Sequence, residues 1–320
     1  MRKLIIIVFM VLASCFICAQ AEEQYYTYPL TPESEDWFDY TPREKSEMLR
    51  IDEETLSQMT ERQLVHAIAD YPYLCDIHVY GPMSESVPLV EKYCSALSEL
   101  TKREDFENKL QLFANELFED YKTCPRSDGR TESVVSLLQD LIDYYQNRNS
   151  QESPELIDPN ETSRSAPSVP YYLYSETHTV SAHDHADQVD ILAIYNVSRV
   201  RIGSCRYNCH SYAWHSQSAN NIYWIPNPTG YTTSGNYTSH YSGNISGNIM
   251  YSGVHVYDIV FYQASSISAM HSALFIDNPY SGTPWAQALL ESKWGQYGVF
   301  QHRLTEVPPE YDYSYISVWH

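Results

Sequence analysis

Two hydrophobic periods that cannot share one kind of secondary structure divide this chain. From Thr41 to about Tyr145, apolar residues fall three or four positions apart in stripes: Leu64, Val65, Ile68 and Ala69; Val90, Cys94 and Leu97; Phe106, Leu110, Phe113 and Leu117; Val134, Leu137, Leu138, Leu141 and Tyr145. That spacing makes one face of a helix, and the stripes must bury against one another, which predicts a small helical bundle. Thr60 and Gln63 have the spacing of a capping box, where each side chain satisfies the other's free backbone N–H at a helix start. Pro72 is expected to terminate that helix. After Tyr171 the pattern changes to short β-prone runs broken by Gly, Asn, Ser and Pro. Strands are expected over 189–200, 255–262, 272–276, 285–292 and 313–319, with a helix from about Cys209 to Ala219.

Between Gln146 and Pro170 the composition turns to Asn, Ser, Glu and Pro, which cannot form a core. The expected organisation is a helical domain over 41–146, a linker over 147–170 and an α+β domain over 171–320. A length of 320 residues agrees with two domains of roughly 100–200 residues each. The net charge of -21 would repel phosphates, so nucleic acid is excluded as a partner. The 29 tyrosines supply amphipathic surface for sugars or peptides, or rigid packing.

Arg2 and Lys3 precede an apolar run from Leu4 to Ile17, and Ala19-Gln20-Ala21 supplies a small-x-small cleavage pattern. A signal peptide over 1–21 and a secreted or cell-surface location are expected. The competing assignment is a lipid anchor at Cys15 in Leu12-Ala13-Ser14-Cys15. No other run approaches the roughly 20 apolar residues of a membrane-spanning helix, so no transmembrane segment is expected in the mature chain.

Of seven cysteines, Cys15 and Cys18 lie in the leader, which leaves the odd set Cys75, Cys94, Cys124, Cys205 and Cys209. An exported chain with an unpaired thiol asks for a reason, and catalysis is one. Buried, never-paired cysteines and a local Cys205–Cys209 disulfide are the alternatives. Asn208 can cap a helix that holds Cys209 in its first turn, where free N–H groups and the helix dipole favour the thiolate. His271, entering a later strand, can take the thiol proton and return it to a leaving amine.

These segments resemble the CHAP and NlpC-type branch of the papain-like superfamily. Asn208-Cys209-His210-Ser211-Tyr212-Ala213-Trp214 is similar to its nucleophile helix, Tyr257-Asp258-Ile259-Val260-Phe261-Tyr262 to its Gly-Asp-Ile-Val-Phe-Phe strand, and His271-Ser272-Ala273-Leu274-Phe275-Ile276 to its histidine strand. Glu291-Ser292-Lys293-Trp294 resembles the Ser-Glu-x-Asn-Trp strand of CHAP domains. The resemblance covers about 195–305 and implies a nucleophile helix packed on an antiparallel sheet. It implies Cys209 as nucleophile, His271 as base and Glu291 as the group orienting the imidazole, with His302 the alternative third member. The Cys209 N–H, aided by Asn208 or Tyr207, would form the oxyanion hole. No cofactor is implied, and the expected substrate is peptidoglycan or a peptide. Lys293 departs from the family's Asn, and Tyr257 from the Gly before Asp258. Met59-Thr60-Glu61-Arg62-Gln63-Leu64-Val65 and Tyr71-Pro72-Tyr73-Leu74-Cys75-Asp76-Ile77 resemble a helical segment of exported Gram-positive proteins, which implies context and no chemistry.

Two rivals stand beside the thiol hydrolase. His178, His183, Asp184, His185 and Asp187 are a metal-ligand cluster, although no helix-borne His-Glu-x-x-His accompanies them and a polar interdomain segment explains them without metal. The Asn-, Gly-, Ser- and Tyr-rich stretch from Asn220 to Ser252 suits a non-catalytic carbohydrate- or protein-binding module on the same fold, or a substrate groove in the enzyme. Asp258 is expected to fix a turn, and His210 and His215 to pack or face solvent.

Overall fold

The computed structural model describes residues 24–148, 155–158, 166–174, 190–245, 253–262, 271–277, 284–311 and 315–320. The leader, much of the expected linker and the histidine-rich stretch from His178 to Asp187 lie outside the described residues. Among the described residues, no helix is long and apolar enough to cross a membrane.

The helical half follows its stripes. Helices α1 (Pro42–Met48), α2 (Glu53–Gln58) and α3 (Glu61–Asp70) each open on a side-chain cap, from Thr41, Asp52 and Thr60. The Thr60 box closes both ways: Thr60 N–H donates to Gln63 Oε1 at 2.8 Å, and Gln63 N–H to Thr60 Oγ1 at 3.2 Å. Pro72 cannot continue the α-helical ladder. A 3₁₀ segment, Pro72–His78, begins there instead. Helices α4 (Met83–Tyr93), α5 (Ser95–Leu100), α6 (Phe106–Thr123) and α7 (Thr131–Asn147) complete the layer. Leu110, Leu117, Val134, Leu137, Leu138 and Leu141 are buried, as their spacing predicts.

The second half builds one antiparallel sheet from β1 (Ser198–Arg201), β2 (Ser239–Asn244), β3 (Ile259–Tyr262), β4 (His271–Phe275), β5 (Leu289–Lys293), β6 (Val299–Arg303) and β7 (Tyr315–Trp319). Its strand order is β1-β6-β5-β4-β3-β7-β2. Short helices α8 (Cys209–Trp214) and α9 (Thr229–Thr233) interrupt it. The class is α+β. The strand expected from 189 begins instead as a helical turn over 190–194, because Ile191, Ile194 and Tyr195 share a helical face turned into the core. Asp190 anchors that turn through Arg130 Nε at 2.7 Å and the Ser133 hydroxyl. Helix α8 stops before Ala219, and polar side chains take carbonyls in its last turn and beyond it: Gln217 Nε2 donates to Tyr212 O and Asn221 Nδ2 to Ser216 O.

The helical layer and the sheet do not have separate cores. One buried cluster runs from Leu64, Leu74 and Leu138 into Tyr262, Phe275, Leu290 and Trp294 of the sheet. Buried hydrogen bonds cross the same boundary: Tyr297 OH donates to Cys75 O at 2.9 Å, and the Tyr195 hydroxyl reaches both Asp76 carboxylate oxygens. Gly295 permits the closest approach. Its φ of 46° is left-handed, and a Cβ there would meet His78 O at 2.2 Å. The helical layer and the sheet thus share one buried core, each covering the other's apolar face.

Strand alternation sorts the sheet into two faces. His271, Ala273 and Phe275 share a face with Leu290 and Ser292, as the Phe275–Leu290 pairing requires, and this face meets the helical layer. Ser272, Leu274, Glu291 and Lys293 point the other way. There Ile259, Phe261, Leu274 and Val299 pack against Tyr207, Tyr212, Ala213 and Trp214 at and within α8.

Candidate active site

Cys209 is the first residue of α8, and Asn208 caps it: Asn208 Oδ1 accepts Ser211 N–H at 3.1 Å. The same side chain clasps Ile225, accepting its N–H at 3.2 Å and donating Nδ2 to its carbonyl at 2.7 Å. Asn208 is therefore spent on holding the helix start, and its amide is not aimed at an oxyanion. Tyr207 is buried beside it, its ring stacked on Tyr212 and its hydroxyl accepting from Arg201 Nη1 at 3.4 Å.

The thiol sits where the sheet splits. Strands β3 and β4 pair along their whole length, but β4 and β5 are joined only at Leu274–Glu291 and Phe275–Leu290. Phe275 N–H turns towards Asp258 O on the β3 side, so by alternation Ser272 N–H faces the β5 side. That N–H is given to Cys209 Sγ, with the N–H groups of His210 and Cys209 itself also directed at sulfur. The expected lowering of the thiol by its helix start is overridden. Burial is the largest influence and pushes Cys209 up to about 11, against the pull of these N–H groups and of the Lys293 charge. None of the five described cysteines is in a disulfide, so no Cys205–Cys209 bridge forms.

His271 opens β4, as expected, and is fully buried. Its Nε2 lies 2.9 Å from Ser292 Oγ, which lies 2.7 Å from His302 Nε2 and accepts from Trp294 Nε1 at 2.9 Å. The protons on this chain follow from donor and acceptor counting. His302 Nδ1 is 2.8 Å from Arg303 O, a carbonyl that only accepts, so Nδ1 carries the hydrogen. Burial lowers His302 to about 4, which keeps the ring neutral and leaves Nε2 as an acceptor. Ser292 must then donate its hydroxyl to His302 and accept both Trp294 Nε1–H and His271 Nε2–H. His271, held neutral by burial first and by His302 and His210 second, is left with a bare lone pair on Nδ1. Among the described residues that nitrogen has no hydrogen-bond partner.

Glu291 is not the group on His271. One position before Ser292, it projects to the other face of β5, where it accepts from the Tyr212 hydroxyl and from Gln301 Nε2 at 3.2 Å. The orienting place expected of it is taken by Ser292, with His302, the alternative third member, one hydroxyl further away. Three other residues escaped the sequence. Tyr311 stacks on the imidazole, ring centroids 4.2 Å apart. Lys293 is fully buried, its ammonium donating to the carbonyls of Ser204, Gly295 and Tyr297 and lying 5.2 Å from the Tyr207 ring centroid. Ser272 mirrors Ser292 one strand away, accepting Trp214 Nε1–H at 2.8 Å and meeting His210 Nδ1 at 2.8 Å. The parity of β5 against His271 is the signal that would have found Ser292. His210 is a buried packing residue, and half-buried His215 lies edge-on to Tyr223. No family model, curated protein or solved structure matches this chain.

Proposed function

We propose that this is an exported thiol hydrolase that cleaves an amide bond, with Cys209 as nucleophile, His271 as base and a papain-like arrangement of helix and sheet. Two observations carry the reading: the Cys209 thiol at the start of α8 receives the Ser272 N–H of β4, and His271, the residue before Ser272, has a buried Nδ1 without a hydrogen-bond partner among the described residues. An unsatisfied buried nitrogen is costly, and a base awaiting a proton accounts for that cost.

In this mechanism the resting pair is neutral. As Sγ closes on the carbonyl carbon, the S–H proton passes to His271 Nδ1, and the imidazolium then protonates the departing amine. Ser292 and His302 hold the ring in the tautomer that leaves Nδ1 basic. Water attacks the resulting thioester with the same nitrogen taking its proton. The Cys209 N–H, in the first turn of α8, would turn from the sulfur to the developing oxyanion as the tetrahedral intermediate forms. Lys293 adds a fixed positive charge that favours sulfur and oxygen anions.

The substrate, peptidoglycan stem peptides or cross-links, rests on the CHAP and NlpC resemblance, and export rests on the leader. The test is release of amines from purified peptidoglycan by wild type and Cys209→Ala; identical traces would sink the assignment.

A further inference from the structure

A second constellation occupies the opposite end of the β3–β4 hairpin, about 13 Å from His271 for a rise of roughly 3.3 Å per residue over four residues. Asp258 lies just before β3 with its carboxylate fully buried. Its Oδ2 accepts the His255 N–H at 2.8 Å, which closes the 255–258 turn, and its Oδ1 lies 2.7 Å from His320 Nδ1. His255 Nδ1 stands 3.7 Å from Oδ2. The imidazoles are exposed, at 61% for His255 and 67% for His320, so the carboxylate is the floor of a shallow cup and the rings are its rim. A third ring, that of His240 on β2, is centred 5.7 Å from His320.

The fold converges these groups from several elements. Ile259 and Ser239 both pair with Trp319, which brings the start of β3, the end of β7 and the start of β2 to one corner of the sheet. His320 is held there by its backbone, exchanging both hydrogen bonds with Thr238. Tyr257 takes a left-handed φ of 71° with its ring 73% exposed, so the chain adopts a strained residue to set Asp258 between the histidines. No lysine or arginine pairs with Asp258 among the described residues; its ionic neighbours are His255 and His320.

The geometry points to a divalent transition-metal site formed by His255 Nδ1, His320 Nδ1 and an Asp258 carboxylate oxygen. The three ligand atoms lie within 4.8 Å of one another. Ligands about 2.0–2.1 Å from zinc are roughly 3.3 Å apart, a closure that rotation of two exposed imidazoles supplies. Two imidazoles and one carboxylate suit zinc, cobalt or nickel and disfavour calcium and magnesium, which prefer all-oxygen shells. Three protein ligands leave a position for water or for His240. Bound metal would clasp β3, β7 and β2 at that corner and stabilise the folded chain by mass action.

The test is titration of the full chain with Co²⁺, read by visible absorption, and with Zn²⁺, read by calorimetry and by Tm. One equivalent is expected, with a rise in Tm. His255→Ala and His320→Ala should each weaken binding at least tenfold, and the double variant should lose both the Co²⁺ bands and the Tm rise. Cys209→Ser should bind as wild type does, which separates this site from the thiol. Both histidine variants keep Asp258 and its turn, so they are expected to fold; far-UV circular dichroism checks this. Absence of binding below millimolar Zn²⁺, or binding unchanged in the folded double variant, overturns the proposal.

Discussion

Ser292 Oγ accepts the His271 Nε2–H at 2.9 Å from the face of β5 opposite to Glu291. Everything basic about His271 follows from that one bond. It places the ring hydrogen on Nε2 and leaves Nδ1 bare.

Ser292→Ala removes the acceptor of His271 and Trp294 and the donor to His302. Three buried polar groups lose a partner, so a loss of about 1–3 kcal/mol per unsatisfied group is the upper scale for stability. Loss of the fixed tautomer should lower kcat about 10²-fold or more, the usual worth of a positioned acid–base group. Glu291→Gln, on the other face, should stay within a few-fold of wild type in kcat. Steady-state kinetics on the two variants distinguish the roles, and a larger loss in Glu291→Gln would reverse them.

Because burial pushes the Cys209 thiol up to about 11, it is a poor target for alkylation at rest. Iodoacetamide at pH 7 should modify exposed Cys124 before Cys209, with the Cys209 rate climbing as pH is raised. Lys293→Met withdraws a nearby positive charge and should move that climb to still higher pH. Peptide mapping after timed alkylation reads both effects.

Stability should respond to pH in two opposed ways. His302 is lowered to about 4 and His271 well below 6.5, so from pH 6.5 down to about 4 the unfolded chain binds more protons, and stability is lost as pH falls through that window. Asp76 is raised from 3.8 to about 8, chiefly by burial. From pH 3.8 to about 8 the folded chain therefore keeps a proton that the unfolded chain has released, and stability is lost as pH rises. Urea unfolding at pH 5 and pH 8 should show stability changing more favourably on going to pH 8 in Asp76→Asn than in wild type. The same change in both proteins would mean that Asp76 is ionised in the fold.

Tyr257→Gly should stabilise the protein. A left-handed non-glycine residue costs about 1–3 kcal/mol, against about 0.5–1 kcal/mol of extra chain entropy for glycine, and the tyrosine ring buries little. The expected net gain is about 1 kcal/mol, read as a higher Tm in metal-free buffer. A lower Tm would show that the ring's contacts outweigh the backbone.

What depends on neighbouring residues was legible before the fold. The Thr60–Gln63 box, the Asn208 cap, the buried stripe at Leu137 and Leu138, and His271 at a strand start are all short-range facts. What failed depends on register and partners. Glu291 and Ser292 are adjacent, and only the pairing of Phe275 with Leu290 decides which one shares a face with His271. The shared core was hidden for a similar reason: an amphipathic stripe announces that it must be covered, but not that a sheet nearly two hundred residues away covers it. Tyr311 on His271 and Lys293 among three carbonyls are likewise contacts across the chain.

The most direct measurement of the central claim is acid-quenched turnover on peptidoglycan fragments, followed by mass analysis of the peptide containing Cys209 and by quantifying released amine. A thioester-linked acyl group on Cys209 is expected in the wild type, and in Cys209→Ala neither adduct nor amine release above background. Amine release by Cys209→Ala at the wild-type rate, or no release by either protein, would contradict it.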